Sequence, residues 1–348
     1  MAYTTINKSS LHMNTKLYTG TGSSNSVTGV GFQPDWVWIK DRGSNANHHL
    51  FDAVRGVTKD IISNSSNAQG TDAQKLTAFG ADGFTVGTNG NVNGSSANMV
   101  SWNWKAGTGQ GSSNTDGSIN TTYTSVNTTS GFSISQYTGT GSNATIGHGL
   151  GAVPKMIIVK NTSTTDSWMV YHVGSGSNAY LHLETTNAAL SPSTAQFQAT
   201  TPTSSLFYVG TADGTNKSSS NMIAYCFAEK TGYSKFGSYT GNGNADGKFI
   251  YTGFKPAFVL FKGSTIAENW WMFDTKRSES NVANDGLIAS TSNSEYSNNA
   301  TFKIDILSNG FKMRSTDSFA NSSGNTYIFM CFAEAPLVGS NNVPCTAR

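Results

Sequence analysis

Pro34-Asp-Trp36-Val37-Trp38-Ile39-Lys40 is the stretch on which the fold turns, because its pattern returns as Pro154-Lys-Met-Ile-Ile-Val-Lys160 and again as Pro256-Ala-Phe-Val-Leu-Phe-Lys262. Each run is apolar on successive residues, which suits a central strand covered on both faces. Working outward, a Tyr and a glycine turn precede each run: Tyr18-Thr-Gly-Thr-Gly22, Tyr137-Thr-Gly-Thr-Gly141 and Tyr239-Thr-Gly-Asn-Gly243. Twelve residues past each Lys stand Asp52, His172 and Asp274, each behind an aromatic residue. Aromatic positions follow at Phe84, Phe207 and Phe311, then closing segments Met99-Val-Ser-Trp-Asn-Trp104, Met222-Ile-Ala-Tyr-Cys-Phe227 and Tyr327-Ile-Phe-Met-Cys-Phe332. Agreement at five landmarks in three copies identifies an internal repeat.

In the first closing segment Val100, Trp102 and Trp104 alternate with Ser101 and Asn103, which predicts a strand with one apolar and one polar face. Gly, Asn, Ser and β-branched residues interrupt every window long enough for three helical turns. Asp72 to Phe79 allows one or two turns at most. The expectation is an all-β chain of three tandem antiparallel β-sandwich repeats, jelly-roll or concanavalin-like and thus lectin-like. The divisions fall at 1–110 (arm and first repeat), 111–231 (linker and second repeat) and 232–348 (third repeat and tail). Residues 1–17 read as an anchoring arm and Ala106 to Asn120, rich in Gly and Ser, as a flexible linker, with copies two and three packed more closely than one and two. The three units could string out to about 100 Å or fold back into a trefoil-like cluster.

Only 12% of the 348 residues are charged, against about 25% in ordinary soluble domains. The net charge of +2 is spread without a basic stripe, which argues against nucleic acid. Ser, Thr and Asn make up about a third of the chain, yet 7 Trp, 13 Tyr and 19 Phe provide ample core. No apolar run nears the roughly 20 residues a membrane helix needs, and no export signal opens the chain, so no membrane insertion is expected. The three cysteines, Cys226, Cys331 and Cys345, are too few and too scattered for a disulfide framework or zinc site, which fits synthesis in a reducing compartment. Cys345 reads as an exposed thiol.

The aligned Asp52, His172 and Asp274 resemble a recurring acid or base, but the Arg that follows in Asp52/Arg55 and Asp274/Arg277 is Ser175 in the second copy. An ion pair or turn carboxylate is the better reading. His48 and His49 adjoin, and neighbours on a strand face opposite ways, so they do not chelate one metal. Six Glu in the whole chain, none in the first repeat, leave little for glycoside cleavage. No enzyme, catalytic residue, metal or cofactor is expected. Aromatic rings beside amides and hydroxyls do suit sugars. Trp270, His48 and His49 are therefore the candidate glycan or interface contacts, Trp270 because the doublet Trp270-Trp271 forces one ring away from the core.

Gly31-Phe-Gln-Pro-Asp-Trp-Val-Trp-Ile-Lys-Asp-Arg42, Leu50-Phe-Asp-Ala-Val-Arg-Gly56, Asp82-Gly-Phe-Thr-Val-Gly87, Ser101-Trp-Asn-Trp-Lys-Ala-Gly107 and Gly147-His-Gly-Leu-Gly-Ala-Val-Pro-Lys-Met-Ile-Ile-Val-Lys-Asn161 resemble tandem repeats in virion proteins of marine tailed bacteriophages. The resemblance covers nearly the whole chain. It implies a virion structural protein, made in the host cytoplasm, of tail-fibre or tail-tip type. Such a receptor-binding appendage would touch other virion proteins, adhere to host-surface polysaccharide and form a homo-oligomer, with a trimer favoured. The alternatives are a capsid decoration or tail adaptor with a protein-docking role, and a polysaccharide-degrading spike.

Overall fold

The computed structural model describes residues 4–335, 337–338 and 344–345. The regular structure of the described residues is almost wholly antiparallel strand, and no helix among them is long and apolar enough to cross a membrane. Each copy forms one large sheet in the same order. The Tyr strand (Met13–Thr19) pairs with the closing strand (Asn98–Trp104), which pairs with the proline-led strand (Trp36–Asp41), which pairs with the strand carrying the Asp landmark (His49–Asp52). In the second copy the strands are Phe132–Thr138, Asn221–Ala228, Pro154–Asn161 and Met169–His172, and in the third Ser234–Thr240, Thr326–Ala333, Pro256–Gly263 and Trp271–Asp274. A smaller sheet faces each large one.

The proline-led strands are buried on both faces, and the two faces serve different cores. Trp36 and Trp38, Met156 and Ile158, and Phe258 and Leu260 point into one apolar cluster shared by all three copies. Val37 and Ile39, Ile157 and Val159, and Val259 and Phe261 point outward into three separate clusters, each completed by its own small sheet. In the shared core the last aromatics of the closing strands meet: Trp104 and Phe332 at 6.0 Å, Phe227 and Phe332 at 6.2 Å between ring centroids. Trp36 stacks on Tyr225 at 4.6 Å. Of the two arrangements the repeats allow, the chain adopts the cluster, with every copy touching both others.

Four expectations need correcting. Ala106 to Asn120 is no flexible linker: the Asp35 carboxylate accepts hydrogen bonds from the Ala106, Thr108 and Gly109 amides at 2.7, 3.1 and 2.7 Å. Ile119 also bridges to Ile146, so small residues here allow tight loop packing instead of freedom. Residues before Tyr18 form no loose arm, since Met13–Thr19 is a sheet strand and Ile6 and Met13 enter the shared core; residues 1–3 lie outside the described ones. Asp72 to Phe79 makes a turn and then the strand Leu76–Gly80, with no helix. Copies one and two are joined through the same kind of contact as two and three: Trp168 and Lys160 of the second reach Ile62, Ser65 and Ser66 of the first, as Trp270 and Lys262 of the third reach His182 and Thr186 of the second.

The glycine turns have a shared cause. Gly22, Gly141 and Gly243 have φ of +69°, +75° and +66°, and a Cβ at Gly20, Gly139 or Gly241 would fall within 2.3 Å of a backbone oxygen. Each turn wraps a buried asparagine. Asn93 Nδ2 donates to Gly87 O and Ser23 O, while its Oδ1 accepts from the Thr21 amide. Asn216 does the same with Gly210 O, Ser142 O and Thr140 N, and Asn321 with Ser315 O, Asn244 O and Asn242 N. The landmark tyrosines close the same corner, donating to Val92 O, Thr215 O and Ala320 O. Asn216→Ala orphans the buried Gly210 carbonyl and removes the partner of the Ser142 carbonyl and the Thr140 amide nearer the surface, and is expected to cost about 1–3 kcal/mol in urea unfolding; a loss below about 0.5 kcal/mol would refute the pinning role.

Candidate functional site

The residues singled out for chemistry gather at the seams between copies. Asp52 ends its strand with a carboxylate that takes Arg55 Nε at 2.5 Å and the Tyr225 hydroxyl of the second copy at 2.7 Å. Asp274 takes Arg277 Nε at 2.6 Å and Trp102 Nε1 of the first copy at 3.0 Å. Trp102, Tyr225 and Met330 are equivalent positions of the closing strands, so at the remaining seam the facing residue has nothing to donate. There His172 stands in place of Asp, and its Nε2 lies 3.0 Å from Phe329 O. The change from Asp to His and from Arg55 or Arg277 to Ser175 therefore tracks one missing donor. All three landmarks are buried and structural.

The candidate contacts fall on the same seams. Trp270, His48 and His49 are all buried, so none is open to a sugar. Trp270 instead lies between copies, donating its indole N–H to His182 O at 2.9 Å. Trp168, at the equivalent place, donates to Ile62 O and Ser65 O of the first copy. His48 occupies the third such place: its Nδ1 accepts from Trp38 Nε1 at 2.8 Å. Its Nε2 makes no well-formed hydrogen bond, although the nearby Ile288 backbone favours the charged ring against the larger effect of burial, which lowers the pKa well below its ordinary value. His49 faces the other way, with Nδ1 at 2.8 Å from Asp60, a carboxylate that Lys75 also contacts at 2.6 Å. The expectation of an outward Trp at position 270 fails because both faces of the large sheets are covered. Trp270 enters the shared core and Trp271 the outer one.

The lysines that close the proline-led strands are a further seam element. Each is buried with its ammonium on carbonyl oxygens: Lys160 on Ser66, Asn161 and Asp166, Lys262 on Thr186 and Glu268, Lys40 on Asp41 and Ser44. Ser66 belongs to the first copy and Thr186 to the second, so two of these ammoniums cross a seam. Burial pushes all three down to about 8, against the pull of nearby carboxylates. Cys226 and Cys331 are buried free thiols raised by burial, which leaves them protonated and unreactive. The side chain of Cys345 lies outside the described residues. Among the described residues no three His, Cys, Asp or Glu side chains gather as a metal site would need.

Clefts exist at the surface between copies. One of about 360 Å³ runs between the first copy's Met13-Asn14-Thr15 and the third copy's Ala257, Thr275, Lys276 and Glu334. Its walls hold one Lys and one Glu among small neutral side chains. Large apolar side chains at the surface are few, and two of them, Phe249 and Tyr251, share the outer edge of the third copy's small sheet.

The arrangement is a three-copy all-β scaffold in which the landmark Asp52, Asp274 and His172 are engaged at internal seams. Residues 8–336 match the family described as Domain of unknown function (DUF7483), and the chain belongs to that family. No curated protein and no solved structure matches it.

Proposed function

We propose that this chain is a non-enzymatic virion protein, a tail fibre or receptor-binding appendage that adheres to host-surface polysaccharide. The observation that carries the reading is the division of labour between inside and outside. Asp52, Asp274, His48, His49 and His172 and the three strand-closing lysines are held in fixed contacts in the interior, and Asp52, Asp274, His172, Lys160 and Lys262 among them join copy to copy. The rims, by contrast, are loops of Ser, Thr, Asn and Gly on a rigid frame, which is how scaffolds present adaptable polar contacts. The resemblance to tailed-phage repeats supplies the place, and by the same reasoning the partners are other virion proteins and the assembly a homotrimer of the 36.8 kDa chain.

Purified full-length protein is expected to bind whole host cells and isolated surface polysaccharide without releasing reducing ends from it. Failure to bind either sinks the adhesin reading, and reducing-end release sinks the non-enzymatic one. Labelling of virions with antibody to the chain is expected on the tail. Label on the capsid shell would instead favour a decoration protein.

A further inference from the structure

The internal repeat provides its own control for where a ligand binds. The small sheets are equivalent in register, with Val27, Ile146 and Ile250 buried at matching places in the strands Asn25–Thr28, Ala144–Gly147 and Phe249–Tyr251. The residues flanking them lie on the opposite face: Ser26 and Thr28 in the first copy, Thr145 and Gly147 in the second, where Asn114 covers the glycine, and the exposed Phe249 and Tyr251 in the third. Across the strand pair the outward partners are Thr85, Tyr208 and Lys312. One copy alone has placed two aromatic rings and a cation where the others keep small or neutral side chains.

The rings are exposed, Phe249 by 40% and Tyr251 by 62%, on an edge strand. Residues two apart on a strand lie on one face about 7 Å apart, a spacing that spans a pyranose ring and its neighbour. Phe249 is held in place: a Cβ at Gly310 would sit 2.8 Å from its Cε2, so the ring lies across that glycine. Charges surround the pair on the same sheet. Lys312 contacts Asp246 at 2.5 Å, and Arg314 contacts Asp305 at 3.4 Å and Asp246 at 3.8 Å. Among the described residues Lys248 and Lys303 make no ion pair, so four cations meet two carboxylates and the face carries a surplus of positive charge. Of these, Asp305 and Lys312 stand on the third sheet's strands and the others flank them, while the strands of the other two small sheets carry no charged residue.

We infer that the outer face of the third copy is a binding site for an acidic polysaccharide, a chain of pyranoses bearing carboxylates. Tyr251 and Phe249 stack on the C–H faces of successive rings, and the Lys and Arg side chains receive the carboxylates, with Asp246 and Asp305 accepting from sugar hydroxyls. The inference rests on the adhesion reading and gives it a place and a ligand class. Charge complementarity selects an anionic over a neutral glycan, and the salt bridges already present hold the basic groups in position.

The test compares the full chain with the double variant Phe249→Ser/Tyr251→Thr, which installs the first copy's own residues on an exposed edge and leaves both cores untouched. Calorimetric titration with hexagalacturonate is expected to show binding that falls at least about tenfold in the variant, with maltohexaose at least about tenfold weaker on the natural chain. Binding is also expected to weaken as salt rises. No binding to hexagalacturonate, or equal binding by the variant, overturns the site. A change in oligomeric mass in the variant with unchanged sugar binding also overturns it, and assigns the edge to pairing between copies of the chain. Host-cell binding separates the two levels: if natural chain and variant bind cells equally, adhesion stands and this face is wrong, whereas no cell binding by the natural chain removes the adhesion reading itself.

Discussion

His172→Asp is expected to destabilise the protein by about 3–5 kcal/mol, and the triple variant His172→Asp/Ser175→Arg/Met330→Tyr to recover most of that loss. The two natural seams show why. A carboxylate at this position is shut away from water and holds its place only because an Arg three residues on and a donor from the neighbouring copy both reach it: Arg55 and Tyr225 at Asp52, Arg277 and Trp102 at Asp274. At the third seam the residue equivalent to Tyr225 and Trp102 is Met330, which has no donor, and the follower of His172 is Ser175, whose hydroxyl is itself buried without a partner. A carboxylate placed there must either ionise unpaired or take up a proton at a cost. Supplying the Arg and the hydroxyl rebuilds the seam found elsewhere in the same molecule. The converse, Asp52→Ala, strands the Arg55 guanidinium and the Tyr225 hydroxyl together and belongs to the same range. Urea unfolding of the natural chain, each single variant and the triple variant gives the coupling directly. A cost below about 1 kcal/mol for His172→Asp, or a triple variant no better than the single, would show that the seam pairing does not govern residue choice.

The repeat carried the fold into view because its landmarks are the residues that matter to it: the proline-led strands, the closing strands and the Asp or His position all stand where their spacing implied. What spacing could not convey is closure. Strand alternation says that two faces differ, not that both are covered, so Ser101 and Asn103 read as a solvated face although both are buried, Asn103 bonding to Asn14 O and to Ser101. The same limit misplaced Trp270. Its partner, His182 O, lies on another copy, and nothing local in Asn269-Trp270-Trp271 points to it. The pinning asparagines were within reach: Asn93, Asn216 and Asn321 each stand five residues before the start of a closing strand, a constant spacing that Gly- and Ser-rich surroundings conceal. Phe249 and Tyr251 are legible in the sequence as well, since the matching positions of the first copy hold Ser26 and Thr28.

Acidification is expected to unfold the protein well above the range in which carboxylates protonate. His148 and His172 are both buried, and burial drives each down to about 4. Their hydrogen bonds explain why protonation is resisted. In each ring Nδ1 accepts from a backbone amide, that of Leu150 or Gly174, while Nε2 faces a carbonyl, that of Thr203 or Phe329. The bonds assign the neutral Nε2–H tautomer, and a second proton would set Nδ1–H against an N–H. A histidine whose folded pKa lies below its unfolded value of 6.5 takes up its proton more readily in the unfolded chain. Its contribution is therefore complete above pH 6.5 and drains away as pH falls toward 4. Each ring forfeits up to about 3 kcal/mol over that window, and His48 and His49, also lowered by burial, add to the loss. Against a total stability of order 5–15 kcal/mol this is enough to reach the unfolding midpoint. The three strand-closing lysines act in the same sense at the other end: held near 8 against an ordinary 10.5, they make stability climb between pH 8 and about 10. Urea midpoints measured from pH 4 to 10 should rise, level off near pH 7 and rise again. His148→Gln/His172→Gln, which keeps a donor and an acceptor but no titrating ring, should make the acid limb clearly shallower, with His48 and His49 supplying the remainder, even where it lowers stability at pH 7. An acid limb equally steep in that variant would place the titration elsewhere in the molecule.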